Sequence, residues 1–211
     1  LSHLLAFTEH RCGKAIGMKS FLYMHSGYGL GIFLNGKLYR GHQGQAGEIG
    51  WMRISDDGPR GRDGRVGLFG DVAPLYKITD RLEDIIAANG NTLAKKYMEG
   101  KSRKVDLSMV VAAIKDGDLL CAQMLNETFR SIGNVVLDLA YIFNPEAVFF
   151  EPWTAGCPEH TIEVVRRQMS HYGVHHWGLK TEVLSAVCGN ESLARGAALI
   201  PIERKFGNEA A

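Results

Sequence analysis

Between His25 and Trp51 the chain reads HSGYGLGIFLNGKLYRGHQGQAGEIGW. This stretch holds a carboxylate flanked by glycine, in Gly47-Glu48-Ile49-Gly50, with the indole of Trp51 directly after it. At its other end His25-Ser26 enters a run with glycine at 27, 29 and 31. A carboxylate accepts charge-assisted hydrogen bonds from hydroxyl and N–H groups, although a loop carboxylate taken alone is most simply solvated. His25-Ser26 suggests an activated hydroxyl, but neighbours on a strand point to opposite faces, so a nucleophile and base couple is not expected. His175-His176 are neighbours in the same sense and are expected to be exposed. The four cysteines, at 12, 121, 157 and 188, form no Cys-x-x-Cys pair. Neither a zinc ribbon nor a disulfide framework is indicated, and reduced thiols of a cytoplasmic protein are expected.

The elements that must hold these groups follow from local pattern. Gly31-Ile-Phe-Leu34 and Lys37-Leu-Tyr-Arg40 read as two strands of a hairpin. Asn35-Gly36 between them suits a type I′ turn, whose two central residues both need positive φ. A short apolar strand, Lys19 to Met24, precedes the hairpin, and a helix over Leu1 to Lys14 precedes that. A chain that starts inside a helix is expected to be part of a longer protein. From Met52 to Asp71 the hydrophobic pattern lapses, with glycine at 58, 61, 64, 67 and 70 and arginine at 60, 62 and 65. This predicts a basic surface loop, poorly ordered because nothing visible pins its glycines.

Beyond the loop, Val72 to Met98 is moderately helical and the basic run from Lys95 to Lys104 is expected to be solvated. Asp106 caps a helix from Leu107 to Lys115. The longest amphipathic stripe follows, on Leu125, Phe129, Ile132, Val136, Leu139 and Phe143, with Asp116 or Asp118 at its start and Asn144-Pro145 at its end. Then come a buried strand (Ala147 to Phe150), a helix on Ile162, Val165 and Met169, a strand (Thr181 to Val187), and a last helix capped by Asn190. Strands first, then helices interleaved with single strands, predict an α/β fold with a mixed sheet flanked by helices.

Composition narrows the function classes. The 211 residues are 45% hydrophobic and 22% charged, as in an ordinary globular domain. The formal net charge of +1 leaves no electrostatic footprint for nucleic acid or an anionic membrane. No apolar run approaches the length of a membrane span.

Gly27-Tyr-Gly-Leu-Gly-Ile-Phe-Leu-Asn-Gly36, followed by Gly44-Gln-Ala-Gly-Glu-Ile-Gly50, resembles the signature region of the ROK family, which groups sugar kinases with sugar-responsive transcriptional repressors. Ile142-Phe-Asn-Pro-Glu146-Ala-Val resembles the family's Asn-Pro strand entry, and Gly196-Ala-Ala-Leu199 its closing helix. The similarity spans almost the whole chain. It implies the second lobe of an actin-like, ribonuclease-H-like fold over residues 1–211, with a first lobe before the point where this chain starts.

The departures from the family pattern carry as much information. The family's structural zinc loop, Cys-x-Cys-Gly-x-x-Gly-Cys-x-Glu, places Gly61, Asp63 and Leu68 at its cysteines, and Trp51 falls at its histidine ligand. No tetrahedral N or S donor set survives, so no metal is expected. Of the family's sugar contacts in this lobe, Glu48 alone keeps its identity, while the loop Glu has become Gly70. Trp51 stacks on a sugar face or fills the space left by zinc, and core filling is the favoured reading. The phosphate turn is reduced to a remnant at Ser26 and Gly27, and the family's Gly-Gly at the nucleotide wall lines up with Glu151-Pro152-Trp153. The family's catalytic Asp falls at or before Leu1. No cofactor and no catalytic residue are therefore expected in this chain.

The expected function is the sugar-sensing and dimerisation portion of a ROK-type transcriptional regulator. It would bind a small-molecule sugar or sugar phosphate and form a homodimer through the long apolar stripe. Contact with DNA would come only through a segment absent from this chain. The alternatives are a fragment of an ATP-dependent sugar kinase and a scaffold with no ligand.

Overall fold

A computed structural model of the chain describes residues 1–25, 28–61, 63–73, 75–98, 104–152, 160–174 and 178–206. Five strands form one sheet: β1 (Phe21–His25), β2 (Gly29–Leu34), β3 (Lys37–Tyr39), β4 (Ala147–Phe150) and β5 (Glu182–Ser185), in the order β3-β2-β1-β4-β5. The first three run antiparallel, and β4 and β5 run parallel to β1. Connection length explains the mixture. A two-residue turn can only reverse the chain, whereas β4 and β5 are reached through helices long enough to bring the chain back in the same direction. Asn35 and Gly36 take φ values of 51° and 78°, as a type I′ turn requires.

Alternation along β1 feeds two cores. Phe21 and Tyr23 face a layer made by α1 (Ser2–Cys12) with Leu5 and Ala6, while Leu22 and Met24 face the larger helical layer on the other side. That larger layer comprises α3 (Leu75–Ala87), α4 (Leu107–Lys115), α5 (Leu119–Phe143) and α6 (His160–Gln168), following a one-turn α2 (Phe69–Val72). α1 lies so close on β2 that a Cβ at Gly31 would overlap the Ser2 carbonyl and Ala6. The closing helix α7 (Leu193–Phe206) packs on α1 with Gly196 against Thr8. Helix starts follow the capping residues: Asp106 accepts from the Met109 N–H and Asp118, rather than Asp116, from the Cys121 N–H. Asn144 ends α5 in the left-handed region, at φ 43°.

Three expectations are corrected. The apolar stripe of α5 is covered within this chain: Leu125, Phe129, Ile132, Val136 and Leu139 are all buried against the sheet and neighbouring helices. Phe143 at its end is half-buried, and the exposed apolar side chains of α5 stand at its two ends, at Leu119, Tyr141 and Ile142. The loop from Met52 to Asp71 is organised, with antiparallel bridges between Arg53 and Leu68 and between Arg60 and Val66. Its glycines permit this: Gly67, at φ +71°, passes so close to the Ser55 carbonyl that any side chain would overlap it. Finally, Asn190 opens a short 3-10 turn, Asn190–Ser192, whose N-cap is Gly189, and gives no side-chain cap to the helix behind it.

Candidate ligand-binding site

The segment around Glu48 is hung on β2 by its backbone. The Leu30 N–H donates to the Gly47 carbonyl at 2.8 Å, and the Gly50 N–H to the Tyr28 carbonyl at 2.9 Å. Gly47 sits at φ +89°, where a Cβ would overlap the Leu30 carbonyl oxygen. Between these anchors Glu48 is the N-cap of a 3-10 turn, Ile49–Trp51. Ile49 is buried and locks the turn to the core, which leaves Glu48 and Trp51 turned outward.

Trp51 is 57% exposed, so it does not fill the core. The space a zinc would have taken is closed by other means. Leu68 is buried, and the Asp63 carboxylate is held by Arg65, with Nε to Oδ2 at 2.6 Å. These hydrogen bonds from Arg65 keep the Asp63 carboxyl below its ordinary pKa. Gly61 offers no donor at all. A tetrahedral zinc site does not fit these residues, and elemental analysis of the purified protein is expected to find no stoichiometric zinc. Zinc that disappears on replacing Asp63 would overturn that expectation. The Arg65 guanidinium instead lies 4.9 Å from the centre of the Trp51 ring, a cation–π contact that fixes one face of the indole.

Trp51 also borders a hollow of about 350 Å³, in the range of small-molecule sites. Tyr28, Glu48, Trp51, Gly70, Asp71 and Tyr76 line it. Two carboxylates and three partly exposed aromatic rings therefore converge on one space. Carboxylates accept hydrogen bonds from hydroxyls, and aromatic faces cover apolar C–H surfaces, so the arrangement suits a polyhydroxylated ring. The structure brings Glu48 and Trp51 together as the sequence suggests. Asp71, Tyr28 and Tyr76 were missed. Tyr76 carried a signal: it lies off the apolar stripe of α3, formed by Leu75, Ile78 and Leu82, where a large exposed aromatic has no packing reason.

Ser26, Gly27, Trp153, Cys157, His175 and His176 lie outside the described residues. On the side where a nucleotide would lie, His25 Nε2 is 3.7 Å from Glu151 Oε2 at the ends of β1 and β4. Glu151 is buried, and its N–H donates to the Met24 carbonyl. No described helix is long and apolar enough to cross a membrane.

Comparison with known proteins accords with this geometry. A model of the ROK family matches residues 3–204. The chain is 26% identical over 175 residues to the beta-glucoside kinase of Klebsiella pneumoniae, covering 82% of this chain and 54% of that protein. It is 24% identical over 200 residues to the xylose repressor of Bacillus spizizenii, covering 94% of this chain and 48% of that protein. A crystal structure of a ROK family transcriptional regulator, a homolog of the E. coli MLC protein, superposes with a TM-score of 0.78 at 22% identity, over 94% of this chain and 50% of the other. The fold is thus the actin-like, ribonuclease-H-like α/β fold. The chain spans about half the length of the relatives it matches.

Proposed function

Because this chain belongs to the ROK family, we propose that it is the sugar-sensing, dimerising second lobe of a ROK-type transcriptional regulator that does not transfer phosphate. The observation that carries this reading is a contrast between its two sides. Glu48 sits with Trp51, Tyr28, Tyr76 and Asp71 around a hollow suited to a sugar, while at the position of the family's nucleotide-wall glycines the chain carries Glu151, buried and 3.7 Å from His25. In this reading Ser26 and Gly27 are what remains of a phosphate turn. DNA is reached through a segment outside this chain, the protein is cytoplasmic, and it works as a homodimer.

The similarity to a beta-glucoside kinase keeps sugar phosphorylation as the competing reading. Sugar-dependent release of ADP by the intact protein would establish it and overturn the regulator. The site itself is tested by calorimetry of the intact protein with glucose, xylose and N-acetylglucosamine. Glu48→Gln should weaken binding by about 1–3 kcal/mol, the cost of losing hydrogen bonds to a charged group, with the melting temperature unchanged. Unaltered affinity in that variant would remove Glu48 from the site. Light scattering at micromolar concentration should report a dimer.

A further inference from the structure

Two of the aromatic side chains beside Glu48 also face a second hollow. Tyr28 and Tyr76 stand between the sugar-sized space and another of about 410 Å³, lined by Leu75, Thr79, Val105, Asp106 and Leu107. Its polar side chains are already engaged within the chain. The Thr79 hydroxyl donates to the Tyr76 carbonyl at 2.7 Å. Asp106 Oδ1 accepts from the Met109 N–H at 3.0 Å and from the Ser108 hydroxyl. Among the described residues, what the second hollow offers an entering group is the half-buried Leu107 and the sides of two tyrosine rings, with the edges of the buried Leu75 and Val105. A second sugar ring placed there would lose water without gaining enough partners for its hydroxyls. A flat apolar group would gain by burial and by aromatic contact.

We infer that the effector is a glycoside with an aromatic aglycone, its sugar beside Glu48 and Trp51 and its aglycone across Tyr28 and Tyr76 against Leu75, Val105 and Leu107. This rests on the reading of the Glu48 hollow as a sugar site. It adds that a monosaccharide fills only half of the available cleft. Tyr76 then selects the ligand, since it contacts both halves.

The test is titration calorimetry of the intact protein with glucose, xylose and N-acetylglucosamine and with the methyl and phenyl glycosides of each. For the sugar that binds, the phenyl glycoside should bind about 10- to 100-fold more tightly than the methyl glycoside, as burial of one ring implies. Thr79→Trp, which fills the second hollow from α3, should bring the phenyl glycoside to the level of the methyl glycoside while leaving the latter unchanged. Leu107→Glu should do the same by setting a charge there, at a helix start where acidic residues are tolerated. Equal affinity of phenyl and methyl glycosides in the unaltered protein would overturn the inference while leaving the sugar site standing. So would a preference that survives both variants, or tighter binding of a disaccharide than of the phenyl glycoside. If neither sugars nor glycosides bind, the sugar-site reading falls and this inference with it.

Discussion

Replacing Glu9 with alanine should lower the free energy of unfolding by about 3–5 kcal/mol, the range for breaking a buried charged network from one side. Glu9 lies in the last turn of α1 and is fully buried. Its carboxylate accepts the Lys14 N–H at 2.8 Å, the Val187 N–H at 3.1 Å and the Cys188 N–H at 2.7 Å. The last two belong to the segment that leaves β5, so one side chain ties the first helix to the far edge of the sheet. Truncation leaves three backbone donors without an acceptor and opens a cavity against Tyr23, whose hydroxyl donates to the Cys188 carbonyl. Glu9→Gln keeps one acceptor oxygen and should cost distinctly less. Urea unfolding of both variants decides the matter: a Glu9→Ala midpoint within error of the parent's would show that water replaces the carboxylate there.

Gly47→Ala should cost about 2–4 kcal/mol and abolish measurable sugar binding, an effect larger than that of removing the Glu48 charge. Two causes act together. The residue needs φ +89°, and its Cβ would occupy the space of the Leu30 carbonyl oxygen. Because Gly47 also accepts the Leu30 N–H, the segment cannot move away without breaking the bond that hangs it on β2. Gly44→Ala separates the causes, since Gly44 has φ +75° but no atom closer than 3.8 Å to a built Cβ. It should show the backbone penalty alone, about 1 kcal/mol, with sugar affinity retained. Equal behaviour of the two alanine variants, in stability and in calorimetric titration, would show that the approach to Leu30 does not position Glu48.

Much of the fold was legible because its signals are short in range. The Asn35-Gly36 turn, the Asp106 and Asp118 caps, the αL stop at Asn144 and the stripe of α5 each depend on residues within about one helical turn or one hairpin of one another. Chain order then limits the sheet, since two-residue turns make antiparallel neighbours and helical crossovers make parallel ones. Glu48 was legible for a different reason. It was singled out by the resemblance of Gly44-Gln-Ala-Gly-Glu-Ile-Gly50 to the ROK signature, within which Gly47 marks a close approach of two backbones.

The surroundings of Glu48 were not legible, because burial and contact are decided by segments far apart in the chain. Trp51 looked like a core filler, whereas the turn anchored by the buried Ile49 leaves it 57% exposed. Asp71 and Tyr76 reach the hollow because the glycine-rich loop folds back on the segment after Trp51, where the Phe69 N–H donates to the Met52 carbonyl at 2.7 Å. The stripe of α5 announces an apolar face but not what covers it, and α6 supplies that cover. Two of the three partners of Glu9, Val187 and Cys188, stand nearly the whole chain away from it. The sequence by itself therefore determined most of the elements and their order, and it singled out one carboxylate, Glu48. Tertiary structure decided which side chains share its hollow, because a contact between distant segments leaves no periodicity or spacing in either of them.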